Sequence, residues 1–169
     1  MEQDDSDDAD AVDAIVEAWR RERPDLDPSA KHVTGRVIRL AGLLQDAYAR
    51  PFAALGLNSG DYGVLASLRR AGPPYQLTPT DLARHQMMTS GGMPSAIDRL
   101  ERKDLVTRTP NPDDRRGSLV GLSEEGLRTV DEAMGLHAAE EHRLLAGLDD
   151  SERAQLQVLL RRLLRSIDT

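Results

Sequence analysis

Two arginines, Arg115 and Arg116, follow the turn formers Asn111, Pro112, Asp113 and Asp114. Short stretches on either side, Leu105 to Thr109 and Ser118 to Leu122, read as two strands of a hairpin. An arginine-bearing hairpin tip suits the narrow, electronegative minor groove of duplex DNA. Upstream, Thr89, Ser90, Gly91 and Gly92 break the chain ahead of a helix with Met93, Ile97 and Leu100 on one face. Such a helix can present its N-terminal residues to base edges in a major groove. Residues 69–116 hold nine bases (Arg69, Arg70, Arg84, Arg99, Arg102, Lys103, Arg108, Arg115, Arg116) and six acids. That excess is small. The order of elements, short helix, tight break, second helix, hairpin, weighs more than charge.

The surrounding elements must position this constellation. Val12, Ile15, Val16 and Trp19 recur at helical spacing and predict a first amphipathic helix that Pro24 stops. Asp27 and Pro28 read as N-cap and first helical position of a second. Val33, Val37, Leu40 and Leu44 form its stripe, and Pro51 should kink or end it. Asn58 with Asp61 resembles a capping pair for a third helix whose buried face is Val64, Leu65 and Leu68. Gly72, Pro73 and Pro74 close that helix. Thr78, Pro79 and Asp81 open a fourth that runs to about Gln86. Pro94 fits a fifth helix that starts at Gly91 or Gly92, since proline belongs in a first turn. Ser123 caps a long sixth helix bearing Leu127, Val130 and Met134. Beyond Gly147, Asp149 and Glu152 restart a last helix rich in leucine, from Leu156 to Ile167. The fold class expected is mainly α with a small β-hairpin wing.

Composition narrows the function. The 169 residues contain no cysteine, which excludes a disulfide framework, a cysteine zinc site and thiol redox sensing. No apolar run approaches the ~20 residues of a membrane span, and no secretory leader is visible, so the expectation is a cytoplasmic protein without membrane partners. The net charge of −7 resides in the first 13 residues, which hold seven acids and no base. The remainder is neutral, so the acidic balance does not exclude a nucleic-acid partner. Residues 1–10 read as a disordered acidic tail. His137, Glu140, Glu141 and His142 are spaced wrongly for a zinc helix and read as a solvated face. No nucleophile elbow, phosphate loop or paired catalytic carboxylates occur. The expectation is a protein that is not an enzyme and holds no cofactor or metal.

The stretches LTPTDLARHQMMTSGGMPSAIDRLERKDLV (Leu77 to Val106) and NPDDRRGSLVGLSEEG (Asn111 to Gly126) resemble the MarR family of bacterial transcriptional regulators. The resemblance implies a winged helix-turn-helix homodimer that binds a pseudo-palindromic operator on double-stranded DNA, most often as a repressor. It implies N-terminal helices over 11–57 that serve dimerisation and a possible effector pocket. It also implies a DNA-binding domain over 58–122 and C-terminal dimerisation helices over 123–169. Carried over by residue, Thr89, Ser90, Gly92, Met93, Ser95 and Arg99 face the groove, Arg115 and Arg116 are wing arginines, and Asp114 orients one of them. Asp104 stands where the family often has the glycine that ends the recognition helix. Pro94 and Ala96 replace common polar residues.

The N-terminal helix with Trp19 resembles a subgroup that includes urate-responsive members. The resemblance implies a small aromatic or anionic effector near Trp19, Arg70 and Arg108. It also implies an acid and a further arginine, at whose positions this chain has Gly63 and Ala96. Trp19 on an apolar stripe reads more readily as a packing anchor than as a ligand platform, and Arg70 and Arg108 read at least as readily as phosphate contacts or intramolecular partners. Two alternatives stand beside the regulator: a protein-interaction module on the same scaffold, and a constitutive DNA-binding regulator without ligand control.

Overall fold

The helices begin where the sequence offers side-chain acceptors to free amides. In the computed structural model, which describes residues 9–85 and 92–168 apart from the side chains of Arg115 and Arg116, helix α1 (Ala11–Glu22) starts behind Asp10. The Asp10 carboxylate accepts from the amides of Val12 and Asp13, and the Asp13 carboxylate accepts from the Asp10 amide. Helix α2 (Lys31–Ala54) starts later than Asp27 and Pro28 predict. Asp27 instead accepts from the amide and hydroxyl of Ser29, and that local turn delays the helix.

Pro51 does not end α2 either. The helix continues because Phe52 is buried and because Gly56, at φ +68°, supplies a left-handed end. The Leu57 amide donates to the Phe52 carbonyl at 2.9 Å and the Gly56 amide to Ala53 at 3.0 Å, a Schellman closure.

The chain divides within α2 into two compact units, Met1–Ala47 and Tyr48–Thr169. In the first, α1 lies against α2 at Gly35, where a Cβ would come within 3.0 Å of Val12 Cγ1. Arg36 donates to Asp13 at 2.7 Å and to Asp10 at 3.0 Å. The Asp10 amide and the Arg36 guanidinium hold the Asp13 carboxyl below its ordinary value. Val12 and Val16 are buried, whereas Trp19 is 44% exposed and is no packed anchor within the chain.

The second unit is built on α3 (Ser59–Arg70), whose Val64, Leu65 and Leu68 are sealed from solvent. Around it stand α4 (Pro79–His85), α5 (Met93–Arg102) and α6 (Glu124–Leu144). They contribute Leu82 from α4, Ile97 and Leu100 from α5, and Val130 and Ala133 from α6 to one aliphatic core. The hairpin strands β2 (Val106–Asn111) and β3 (Asp114–Leu122) are longer than expected, so Arg115 and Arg116 sit in a strand rather than in the connecting turn. A further strand, β1 (Gln76–Leu77), pairs antiparallel with β3, giving the order β1-β3-β2. Two residues carry no readable period, which is why β1 was not predicted.

Helix α7 (Asp150–Ile167) begins with the Asp149–Glu152 capping box and buries none of its residues in the single chain. Leu159, Leu164 and Ile167 on α7 are exposed, as are Val33, Val37, Ile38, Leu40 and Leu43 on α2. Among the described residues no helix is long and apolar enough to cross a membrane.

The junction between α5 and the wing is tightly specified. Asp104 takes φ +57°, and its amide donates to Glu101 while the Leu105 amide donates to Leu100, a second Schellman closure. Ser123 closes over this corner. Its hydroxyl donates to the Asp104 carbonyl at 2.6 Å and accepts from the Gly126 amide at 2.9 Å. A Cβ on Gly126 would lie 1.9 Å from the Leu105 carbonyl oxygen, so α6 can approach only through glycine. Gly126→Ala should therefore destabilise the fold by about 3 kcal/mol in urea unfolding; a neutral result would contradict this close approach. Asp104→Gly should stabilise by about 0.5–1 kcal/mol, as relief of the left-handed strain exceeds the glycine's added unfolded-state entropy. A loss of stability on that change would show that the aspartate, and not the backbone conformation, holds the corner.

Candidate nucleic-acid interface

Helix α5 has two unlike faces. Met93, Ala96, Ile97 and Leu100 turn into the core, at spacings of three and four. Gly92, Pro94, Ser95, Asp98 and Arg102 face solvent. Pro94 occupies the first turn, where its missing amide is not needed.

This division corrects two assignments. Met93, expected to face the groove, is 5% exposed because it begins the apolar stripe. Arg99, expected there as well, is half-buried, and its guanidinium is paired with the interior. Its Nε and Nη2 donate to Asp61 Oδ1 at 3.1 and 2.8 Å. Asp61 is 1% exposed. Its other oxygen accepts from the Asn58 amide, while its own amide donates to Asn58 Oδ1 at 2.9 Å. Lys103 Nζ stands 3.9 Å from Asp61 Oδ2 and donates to the Gly56 carbonyl at 2.5 Å. One buried carboxylate thus joins the start of α3, the recognition helix and the turn after α2. Sequence reasoning found Asp61 only as a cap. Nothing local points to a partner 38 residues away.

Gly92 and Ser95, expected to face the groove, are exposed on the outer side of α5. Thr89 and Ser90 lie outside the described residues, as do the side chains of Arg115 and Arg116. The Asp114 carboxylate folds toward Gly117, whose Cβ position would be 3.1 Å from Asp114 Oδ2. Arg108, on β2, donates to Asp98 at 2.5 Å and to Glu101 at 2.7 Å. It bridges the wing to α5 and offsets part of the charge of the two carboxylates. Arg70 donates to the Ser67 hydroxyl at 3.2 Å and to the His85 carbonyl at 3.0 Å. Its partners are neutral, so its charge stays available to an anion, whereas an anion at Arg108 must displace carboxylates.

His137 departs from the solvated face expected of it. Its ring lies 4.4 Å from Tyr48, 5.1 Å from Tyr62 and 5.6 Å from Phe52 between centroids. Its Nδ1 is buried without a hydrogen-bond partner, and Nε2 lies 3.4 Å from Glu141. Burial pushes the Tyr48 and Tyr62 hydroxyls above their ordinary values, with Glu141 adding to the effect. Among the described residues no group of three or more candidate ligands could hold a metal ion.

A helix presented beside a braced hairpin is the arrangement of winged-helix DNA-binding proteins. A sequence profile of the MarR family matches residues 55–117. The chain is 32% identical to the HTH-type transcriptional regulator PecS of Dickeya dadantii over 151 residues, which are 89% of this chain and 91% of that protein. Its fold is similar to a mutant MarR of E. coli complexed with operator DNA (TM-score 0.70, 27% identity, 82% of this chain and 99% of that one). It is also similar to Sco3205, a MarR family regulator of Streptomyces coelicolor in complex with DNA (TM-score 0.74, 25% identity, 85% and 91%). The chain belongs to the MarR family and is a DNA-binding transcriptional regulator.

The Asp61 pair makes a direct prediction. Arg99→Leu leaves a buried carboxylate with the Asn58 amide and, as its only cation, the more distant Lys103, and should cost about 3 kcal/mol of stability in urea unfolding. Unchanged stability would show that α5 is held by its apolar stripe alone.

Proposed function

We propose that the chain is a homodimeric repressor of a palindromic operator, released by a small aromatic or anionic ligand. The observation that carries the DNA-reading part is the outer face of α5. Its first turns are solvent-exposed, its opposite face is sealed in the core, and Arg108 braces it to the wing. Each recognition helix enters the major groove of one half-site, and Arg115 and Arg116 reach the flanking minor groove. The apolar stripes of α2 and α7 support the dimer, since large exposed aliphatic faces on two helices of one chain call for a partner surface. The half-exposed Trp19 and the neutral partners of Arg70 support a ligand that is aromatic or anionic.

Selection from a random duplex pool should recover a palindrome with half-site centres about one turn apart, ~34 Å. Sedimentation should give twice the 18.6 kDa chain mass. Recovery of no motif would favour the interaction module. On the selected duplex, Arg116→Ala should weaken binding and lower the log–log salt slope by about 1; an unchanged slope would remove Arg116 from the phosphate contacts. Aromatic anions that release the duplex should also change Trp19 emission, which is unambiguous with one tryptophan in the chain. Unaltered DNA affinity across such a series would leave a constitutive regulator.

A further inference from the structure

We propose that Pro94 reads the C5-methyl group of a thymine in each half-site. The proposal rests on the DNA-reading role of α5 given above and names what one of its residues recognises.

The N-terminal half of α5 offers four positions to a groove: Gly92, Pro94, Ser95 and Asp98. Gly92 presents backbone alone, and a Cβ there would meet nothing within 4 Å, so the helix can come close to the base edges at this end. The Ser95 hydroxyl both donates and accepts, and is satisfied by any base pair. The Asp98 carboxylate is held at 2.5 Å by Arg108.

Pro94 differs in kind. Its exposed ring has no polar atom, and the residue has no amide hydrogen. The largest apolar group that a standard base pair shows in the major groove, and the only methyl, is that of thymine. Any other edge against the ring would lose water from a donor or acceptor and gain no partner. The ring is also rigid, so the contact costs no side-chain entropy. Because the methyl lies on one strand only, the same contact distinguishes T·A from A·T.

The commitment of Met93, Ala96 and Arg99 to interior contacts strengthens this reading. Met93 and Ala96 are core residues and Arg99 is committed to Asp61. The described part of α5 therefore has few side chains with which to select a sequence, and the apolar one has a single matching feature.

The test uses the full chain and the duplex recovered by selection. Each thymine of a half-site is replaced in turn by deoxyuridine, which removes the methyl and keeps every hydrogen-bonding group. At one position per half-site the swap should weaken binding about fourfold, the value of one buried methyl-sized group. Pro94→Gly should bind the parent duplex more weakly and show no response to the swap at that position. Pro94→Ser, which keeps a sound helix start, should behave alike and guards against misfolding of the glycine variant. Equal affinity for every uracil-substituted duplex would overturn the proposal. So would full sensitivity in both variants, or a selected site without a fixed thymine. Selection of no site at all would overturn the DNA-reading role itself, and is distinguished by the absence of any motif.

Discussion

A carboxylate shut away from water sets the geometry of the second unit. Asp61 is 1% exposed, and a buried charge persists only when it is paired and hydrogen-bonded. Its partners come from three places in the chain: the Asn58 amide, the Arg99 guanidinium and the Lys103 ammonium. Satisfying it therefore fixes how α5 is turned about its own axis. With the Arg99 guanidinium held by Asp61 and Met93, Ala96, Ile97 and Leu100 in the core, the fully exposed positions of α5 are Pro94, Ser95, Asp98 and Arg102. The face that α5 turns to solvent follows from what the interior must neutralise.

Charge is managed in the same way around the helix. Asp98 and Glu101 lie on the outer side of a recognition helix, where bare carboxylates would oppose binding. Arg108 reaches across from β2 to both. The wing is thereby tied to the helix, and the same bridge offsets part of that repulsion. Ser123 and Gly126 hold the other end of this corner, so the start of α6, the end of α5 and the start of β2 are joined at one point.

Much of this was legible in the residues. Capping at Asn58, Ser123 and Asp149, the buried stripe of α3 and the placement of Pro94 in a first turn are local rules, and the structure follows them. Local rules failed where a distant contact outweighed them. Pro51 stays inside α2 because Phe52 is buried and Gly56 caps the end. Arg99 pairs with a carboxylate far along the chain. His137 joins an aromatic cluster with Tyr48, Phe52 and Tyr62 that no helical period announces. β1 is too short for its pattern to be read. Of the two arginines that the resemblance places near an effector, Arg108 is held by carboxylates and Arg70 is not, a difference that only the folded chain reveals.

The central claim is that the recognition helix and α3 form one cooperative piece around Asp61. Native-state hydrogen exchange on the intact chain tests it most directly. The amides of Ile97, Leu100 and Leu105 should exchange with the same free energy as those of Val64 to Leu68, and only through global unfolding. If the α5 amides exchange by a separate, much cheaper opening while α3 stays protected, the buried carboxylate does not bind the recognition helix to the core and the account is wrong.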